Sequence, residues 1–93
     1  MRQDEIDDLR QRFPVGATVV GTVAVRAPFG VFIDIATGVR ALLEISYMSI
    51  DPKAYGKDDP YVVGSEVRAR VLAVYPHDGQ IRLTQAVYPP TAA

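Results

Sequence analysis

Apolar and polar residues alternate along most of this chain with the period of a β-strand. The segment ATVVGTVAVR begins at Ala17, is rich in β-branched residues and puts Val19, Val23 and Val25 on one face. Gly21 falls on the same apolar face, where a missing side chain lets another backbone approach closely or lets the strand bend. The pattern predicts a first strand with one face on the core.

Four more segments have strand patterns, and turn residues separate them. The fourth predicted strand, EVRARVLAVY, directs Val67, Ala69 and Val71 inward, and the fifth, IRLTQ, directs Ile81 and Leu83 inward. An Asp-Gly pair in HDGQ predicts the hairpin turn between them. The second and third predicted strands are PFGVFIDI and VRALLEI. The side chains expected to point outward from strands four and five are Arg68, Arg70, Arg82 and Thr84.

Residues 46–65 have no sustained period and are dense in Pro, Gly, Asp and Ser. We expect a long connection between strands three and four, with one helical turn near Tyr47 to Ile50. A connection of this length in a small domain is either functional or a packed crossover. Five short strands with glycines at bend positions predict an all-β fold, a small closed barrel, because closure removes exposed sheet edges.

The first segment, QDEIDDLRQRF, predicts a short amphipathic helix. Its apolar residues Ile6, Leu9 and Phe13 recur at helical spacing, with acids early and arginines late, as the helix dipole favours. That apolar stripe must be buried on one end of the barrel or against a partner. We therefore expect a helix over residues 1–14, a barrel domain over 15–86 and a disordered tail over 87–93.

Two phenylalanines flank a glycine in the second predicted strand. Phe29 and Phe32 are three positions apart, so a regular strand would point them to opposite faces. A bulge at Gly30 would shift the alternation by one residue and bring both rings to one side. On the outer face of the barrel they would form a stacking platform for unpaired bases, whereas the alternative is that both belong to the core.

The charge distribution argues against strong non-specific binding of nucleic acid. The chain has 93 residues and a net charge of −1, and residues 15–86 hold seven basic and seven acidic side chains. Phosphate contacts supply most non-specific affinity, so a strong binder would show a basic excess. No apolar run approaches the length of a membrane span, and without a signal region or cysteine we expect a cytoplasmic protein.

No catalytic or cofactor-binding arrangement is visible in the sequence. His77 is the only histidine and lies in a predicted turn, where no nucleophile, base and orienting group can be assembled around it. The segment DPKAYGKDDP lacks the alternating oxygen ligands of a calcium loop, and its glycines form no phosphate-binding pattern. We expect a protein that is not an enzyme and binds no metal or cofactor.

The chain resembles the S1 domain, the RNA-binding OB-fold module named for ribosomal protein S1. The resemblance runs from about Val15 to Gln85 and implies a five-stranded antiparallel barrel, in agreement with the strand count. The motifs that carry it are Gly21 with Val23, the Phe-Gly-x-Phe of strand two, Leu43 to Ser46, Val63 with Gly64, and Ile81 to Thr84.

The resemblance also implies an RNA-binding face made from five positions. Phe29 and Phe32 match the two aromatics that stack bases, which favours solvent-facing rings. The family often has His where this chain has Glu44, a carboxylate that would repel phosphate but could accept a hydrogen bond from a base amino group. It often has Asp where this chain has Tyr75, which could add a third stacking ring or cap the core. Gln80 stands where the family often has a basic residue.

Three arginines could replace the missing basic group. Arg26, Arg40 and Arg82 would hold RNA phosphates if they flank the aromatic pair, and otherwise they are solvated surface residues. The resulting hypothesis is a module that binds single-stranded RNA weakly and with low sequence specificity, alone or in the ribosome or a larger RNA-processing assembly. The alternative is a protein-interaction module that keeps the scaffold and has lost part of its RNA face.

Overall fold

A computed structural model describes residues 2–86 of the chain. The tail predicted over residues 87–93 lies outside the described residues, within which no helix is long and apolar enough to cross a membrane. One α-helix is followed by five strands, with two 3-10 turns, Ile45–Tyr47 and Pro52–Ala54, in the long connection. The elements are α1 Gln3–Arg12, β1 Thr18–Ala27, β2 Gly30–Ala36, β3 Val39–Glu44, β4 Glu66–Val74 and β5 Ile81–Thr84.

The five strands close into a barrel in the order β1, β2, β3, β5, β4, which confirms the predicted five-stranded fold. Four of the five neighbouring pairs are antiparallel, but β3 and β5 run parallel, with Ala41 opposite Ile81 and Leu42 opposite Arg82. The β3–β5 pair is the one exception to the predicted antiparallel arrangement. Strand directions cannot alternate all the way around a closed ring of five, so one parallel pair is unavoidable.

The barrel interior is filled by the inward positions of every strand. The predicted inward residues of β4 and β5 are all buried, which confirms the alternation read from those segments. Aliphatic side chains dominate, and Tyr61 from the long connection joins them. The largest fully buried side chains are Tyr61, Ile6, Ile33, Leu43, Ile81, Leu83, Val23, Val31, Val71 and Thr84.

Helix α1 packs against one end of this barrel. The sequence left open whether its apolar stripe is buried on the barrel or against a partner. Ile6 is only 2% exposed, and both Ile6 and Phe13 belong to the same buried cluster as the strand residues. Leu9 packs against the edge of that cluster, and Nη2 of Arg10 donates to the carbonyl oxygen of Val74 at 3.4 Å. The helix therefore buries its stripe on its own barrel.

Replacing Ile6 by alanine is expected to lower the free energy of unfolding by about 3 kcal/mol, because a fully buried aliphatic side chain is lost and a cavity remains. Chemical denaturation followed by circular dichroism measures the change. Gln11→Ala, at an exposed position of the same helix, is the control and should stay within about 0.5 kcal/mol of wild type. Equal losses in the two variants would contradict docking of the helix on the barrel.

Val25 was predicted to lie on the core face of β1, but it points outward because the strand contains a bulge. Val23 lies opposite Ile33 and Val25 opposite Phe32, so Ala24 is an extra residue with no partner of its own on β2. The bulge reverses the alternation, and Val25 points outward beside Phe32. Gly21 keeps its expected role, since a Cβ there would lie 2.5 Å from the carbonyl oxygen of Asp34.

Thr84, expected on the outer surface of β5, is instead buried. Just beyond β5, the backbone N–H of Ala86 donates to Oγ1 of Thr84 at 3.0 Å. The backbone N–H of Gln85 donates to the carbonyl oxygen of Tyr47 at 2.7 Å. The long connection therefore covers this end of β5, which strand alternation alone does not describe.

Candidate nucleic-acid interface

Phe29 and Phe32 are neighbours, but not through a bulge at Gly30. Gly30 lies in a regular ladder, opposite Ala27 on β1 and Glu44 on β3. Phe29 precedes β2, in the two-residue turn that joins β1 to β2. The rings are still in contact, with centroids 6.1 Å apart and planes at 87°. The predicted bulge is wrong, and the hairpin turn brings the rings together instead.

Phe32 points outward because both of its strand neighbours fill the core. Val31 and Ile33 are completely buried, so the alternation of β2 directs Phe32 to the outer face. Across the sheet, Phe32 lies opposite Val25 and Leu42. Leu42 is buried but does not belong to the core cluster, so it forms an apolar floor under the outer side chains.

A compact polar network lies beside this apolar floor. Arg82 of β5 is paired with Leu42, and its Nη1 forms an ion pair with Oε1 of Glu44. Its Nε donates to Oε1 of Gln80 at 2.9 Å, and its guanidinium carbon lies 5.0 Å from the ring centroid of Tyr75. Three side chains of the β4–β5 hairpin and Glu44 of β3 therefore form one contact network.

Together these residues form one outer surface, which we call the aromatic face. Tyr75 is 40% exposed, so it lies on this surface and does not cap the core. Its backbone N–H donates to the carbonyl oxygen of Gln80 at 2.9 Å, which places both residues at the turn end of the β4–β5 hairpin. The members of the aromatic face are Phe29, Phe32, Leu42, Glu44, Tyr75, Gln80 and Arg82.

Arg40 lies on the same outer side but is ion-paired away from the aromatic rings. It is opposite Asp34, which comes one outward position after Phe32, roughly 7 Å further along the strand. Nε of Arg40 donates to Oδ1 of Asp34 at 2.7 Å, a hydrogen bond that lowers the pKa of Asp34 and raises the pKa of Arg40. Both side chains are half exposed, so the pair is a surface ion pair.

Arg26 is bound to the long connection and is not part of the aromatic face. Nη1 and Nη2 of Arg26 donate to the two carboxylate oxygens of Asp59 at 2.9 and 3.1 Å, and Nη1 also contacts the carbonyl oxygen of Tyr61. The guanidinium lies 4.8 Å from the ring centroid of Tyr55. The hydrogen bonds from Arg26, with two from the backbone N–H groups of Gly56 and Tyr61, hold the pKa of Asp59 well below its usual range.

Tyr55 connects the long loop to the turn that carries Phe29, and Asp59 connects the loop to Arg26 of β1. The Tyr55 hydroxyl lies 2.5 Å from the carbonyl oxygen of Ala27 and 2.8 Å from that of Gly30, within hydrogen-bond distance of both sides of the turn. Sequence reasoning named neither residue, because the loop has no periodicity that relates it to β1. The density of aspartate, glycine and tyrosine in DPKAYGKDDP was the only available signal.

Asp59→Asn is expected to lower the free energy of unfolding at neutral pH by about 2 kcal/mol, the size of a hydrogen-bonded buried charge. Since the folded-state pKa of Asp59 is depressed, its stabilisation is present above the unfolded pKa of about 3.9 and is lost as pH falls below that value. Denaturant unfolding at a series of pH values should therefore show a shallower loss below about pH 4 for the variant than for wild type.

The adjacent aspartate provides a matched control for that measurement. Asp58 is exposed, and Asp58→Asn makes the same change in charge one residue away. We expect it to leave stability within about 0.5 kcal/mol of wild type at every pH. If the Asp59 and Asp58 variants had parallel pH profiles, the ion pair to Arg26 would not be the source of the stabilisation.

Titratable groups form no further centre within residues 2–86. No three histidine or acidic side chains in that span lie close enough to hold a metal ion. His77 is exposed in the turn between β4 and β5. The arrangement that stands out chemically is therefore the aromatic face, which offers flat rings, one guanidinium and one carboxylate.

A small closed barrel of five strands with this topology is an OB-fold, a class that includes oligonucleotide-binding domains. The family model described as the S1 RNA binding domain matches residues 12–85. The chain belongs to the S1 RNA-binding domain family.

Individual relatives agree with this assignment. The chain is 33% identical over 82 residues to 4-hydroxy-3-methylbut-2-enyl diphosphate reductase of Clostridium tetani, covering 88% of this chain and 12% of that protein. It is 30% identical over 77 residues to small ribosomal subunit protein bS1 of Chlamydia trachomatis, covering 83% and 14%. The solution structure of GSP13 from Bacillus subtilis superimposes with a TM-score of 0.62 at 29% identity, covering 87% and 65%.

The extent of these matches limits what the names of relatives imply. This chain spans only 12% and 14% of the length of the reductase and of the ribosomal protein. The similarity to the reductase therefore concerns one S1 domain within a longer chain. The family model describes an RNA binding domain, so the match does not assign the reductase activity to this chain.

Proposed function

We propose that this chain binds single-stranded RNA by stacking unpaired bases on the aromatic face. The observation that carries the proposal is the exposed ring of Phe29, 52% accessible and in contact with Phe32. About half of the ring surface is therefore open to solvent and available to a stacked base. Stacking on such a ring contributes about 1–3 kcal/mol per base without requiring net positive charge.

The orientation of the two rings supports a single strand over a duplex. A stacked base lies parallel to the ring beneath it, and the planes of Phe29 and Phe32 are at 87°. Two bases that stacked on these rings would be turned away from each other. Such splayed bases occur in unpaired RNA, whereas paired bases in a helix remain parallel.

The electrostatics support weak affinity. All three arginines that the sequence offered as phosphate ligands are ion-paired, Arg26 with Asp59, Arg40 with Asp34 and Arg82 with Glu44. Each pair cancels the charge that a phosphate would seek, so few counterions are released on binding. We expect dissociation constants in the micromolar range or weaker and a shallow salt dependence, with little sequence preference, because every base has a flat face.

Fluorescence anisotropy with a labelled, unstructured RNA of about ten nucleotides tests this function directly. We expect saturable binding to the single strand at low salt and much weaker binding to a duplex of the same length. Absence of binding at millimolar protein would contradict the proposal. Equal affinity for strand and duplex would also contradict it, because the aromatic face cannot stack paired bases.

The partners proposed for this module are single-stranded RNA and an assembly that contains it. One matched relative is a ribosomal subunit protein, so a ribosomal or RNA-processing assembly in the cytoplasm is the proposed setting. The alternative, a protein-interaction module, is favoured by the carboxylate of Glu44 beside Arg82. Helix α1 gives it no support, because the apolar stripe of the helix is buried on the barrel. Failure to bind RNA would favour this alternative.

A further inference from the structure

The ion pair between Glu44 and Arg82 occupies the centre of the aromatic face. The two side chains come from β3 and β5, which pair only at Ala41 with Ile81 and Leu42 with Arg82. They are 35% and 21% exposed, so solvent screens them less than it would a fully exposed pair. The pair therefore holds its charges together where an RNA strand crossing the rings would pass.

Arg82 is held in an orientation that suits a phosphate ligand, except that its guanidinium is already paired with the Glu44 carboxylate. Gln80 accepts a hydrogen bond from Nε of Arg82, and the ring of Tyr75 lies under its guanidinium. Neither contact involves Glu44, so the guanidinium remains oriented if the carboxylate moves away. A planar guanidinium forms paired hydrogen bonds with phosphate as readily as with carboxylate.

The other two candidate phosphate ligands, Arg26 and Arg40, differ in this respect. Asp59 is 3% exposed and also accepts hydrogen bonds from the backbone N–H groups of Gly56 and Tyr61, so its carboxylate is fixed in the fold. Asp34 lies one outward position beyond Phe32, away from the aromatic network. Glu44 alone among these three carboxylates contacts an arginine of the aromatic face.

We propose that Glu44 is a built-in counterion that competes with RNA phosphate for Arg82 and so limits the affinity of the aromatic face. The inference rests on the proposed function. A phosphate can reach the guanidinium only by displacing the carboxylate, which exchanges one charged contact for another. Arg82 then contributes little net affinity in the wild-type protein, and removal of the Glu44 charge restores its contribution.

Glu44→Gln tests this competition because it removes the charge and keeps the shape of the side chain. We expect the variant to bind labelled oligouridylate of about ten nucleotides about fivefold more tightly than wild type at low salt. The slope of log affinity against log salt concentration should become steeper by about 0.7, the contribution of one phosphate contact to a single strand. Circular dichroism melting checks that the variant is folded.

Asp34→Asn is the matched control, since it removes a carboxylate from an ion pair on the same outer side and changes the net charge equally. We expect no change in its salt slope. The double variant Arg82→Gln, Glu44→Gln shows whether Arg82 carries the gain. It should bind no more tightly than wild type, because the guanidinium that the Glu44 change exposes to phosphate is then absent.

Three results would overturn the inference while leaving the proposed function intact. In the first, Glu44→Gln binds no more tightly than wild type, although wild type binds RNA and loses that binding in Phe29→Ala. In the second, Asp34→Asn gains as much as Glu44→Gln, which would assign the effect to net charge. In the third, the double variant Arg82→Gln, Glu44→Gln keeps the gain of Glu44→Gln, which would show that Arg82 does not carry it. Absence of RNA binding by both wild type and Glu44→Gln would overturn the proposed function as well.

Discussion

Replacing Phe29 by alanine is expected to weaken binding of single-stranded RNA about tenfold or more, with a melting temperature close to that of wild type. One stacked base contributes about 1–3 kcal/mol, which corresponds to roughly a 5- to 150-fold change in affinity. The ring lies in a turn and is already 52% exposed, so its removal costs little buried area. Anisotropy titration and thermal melting of the same preparation measure the two effects separately.

Val63→Ala is the control for that variant. Val63 is 58% exposed in the connection before β4 and is not a member of the aromatic face, so its loss should change neither affinity nor stability appreciably. Phe32→Ala is expected to reduce both, because Phe32 is half-buried and lies across the sheet from Leu42. Unchanged RNA affinity in Phe29→Ala would contradict stacking at this site, and a large fall in melting temperature would assign the ring to the core.

Gly30→Ala is expected to destabilise the fold by about 3 kcal/mol or more. A Cβ at this position would lie 2.4 Å from the carbonyl oxygen of Leu43 and 2.8 Å from Cα of Glu44, and both are backbone atoms that cannot rotate away. The strands β2 and β3 would have to separate at the edge of the aromatic face. Denaturant unfolding measures the loss, and RNA affinity should fall with it because Glu44 and the Phe29 turn are displaced.

Gly38→Ala is the control. It separates the steric clash at position 30 from the backbone strain that alanine meets at any turn glycine with positive φ. Gly38 has φ of +73° and nothing within 4 Å of a built Cβ, so alanine there meets backbone strain but no clash. Its cost should be about 1 kcal/mol, well below that of Gly30→Ala. If the two variants were equally stable, close packing of β2 on β3 would not be the reason for glycine at position 30.

The sequence was informative wherever one physical constraint dominated. Period-two alternation predicted the inward residues of β4 and β5, because one face of each strand must be buried. Helical spacing predicted α1, although only the structure places its stripe on the barrel end. The parallel seam between β3 and β5 follows from closing five strands, so it could have been predicted from the strand count itself.

The position of the bulge could not be predicted, because it depends on how two strands pair. The apolar pattern of β1 is compatible with a regular strand, and the spacing of Phe29 and Phe32 is compatible with a bulge at Gly30. The register with β2 places the extra residue at Ala24 and leaves Phe29 in the turn. Both alternatives bring the rings to one side, so the side-chain pattern does not distinguish them.

The partners of the arginines were also beyond the sequence. Arg82 and Glu44 are 38 positions apart and meet only because β3 and β5 are neighbours in the closed barrel. Arg26 meets Asp59 because the long connection packs against β1. The Asp34–Arg40 pair is the exception, since these residues face each other across a short turn and a hairpin register would have indicated it. Each pairing decides whether an arginine is available to phosphate.

Chemical-shift mapping by NMR tests most directly whether RNA binds at the aromatic face. The isotope-labelled chain would be titrated with an unstructured oligonucleotide at low salt while backbone amide signals are followed. Binding by stacking predicts shifts concentrated at Phe29, Phe32 and the β4–β5 hairpin end around Tyr75 and Gln80, with Arg68 and Lys53 unaffected. Shifts concentrated away from these residues, or none at millimolar RNA, would contradict the proposed interface.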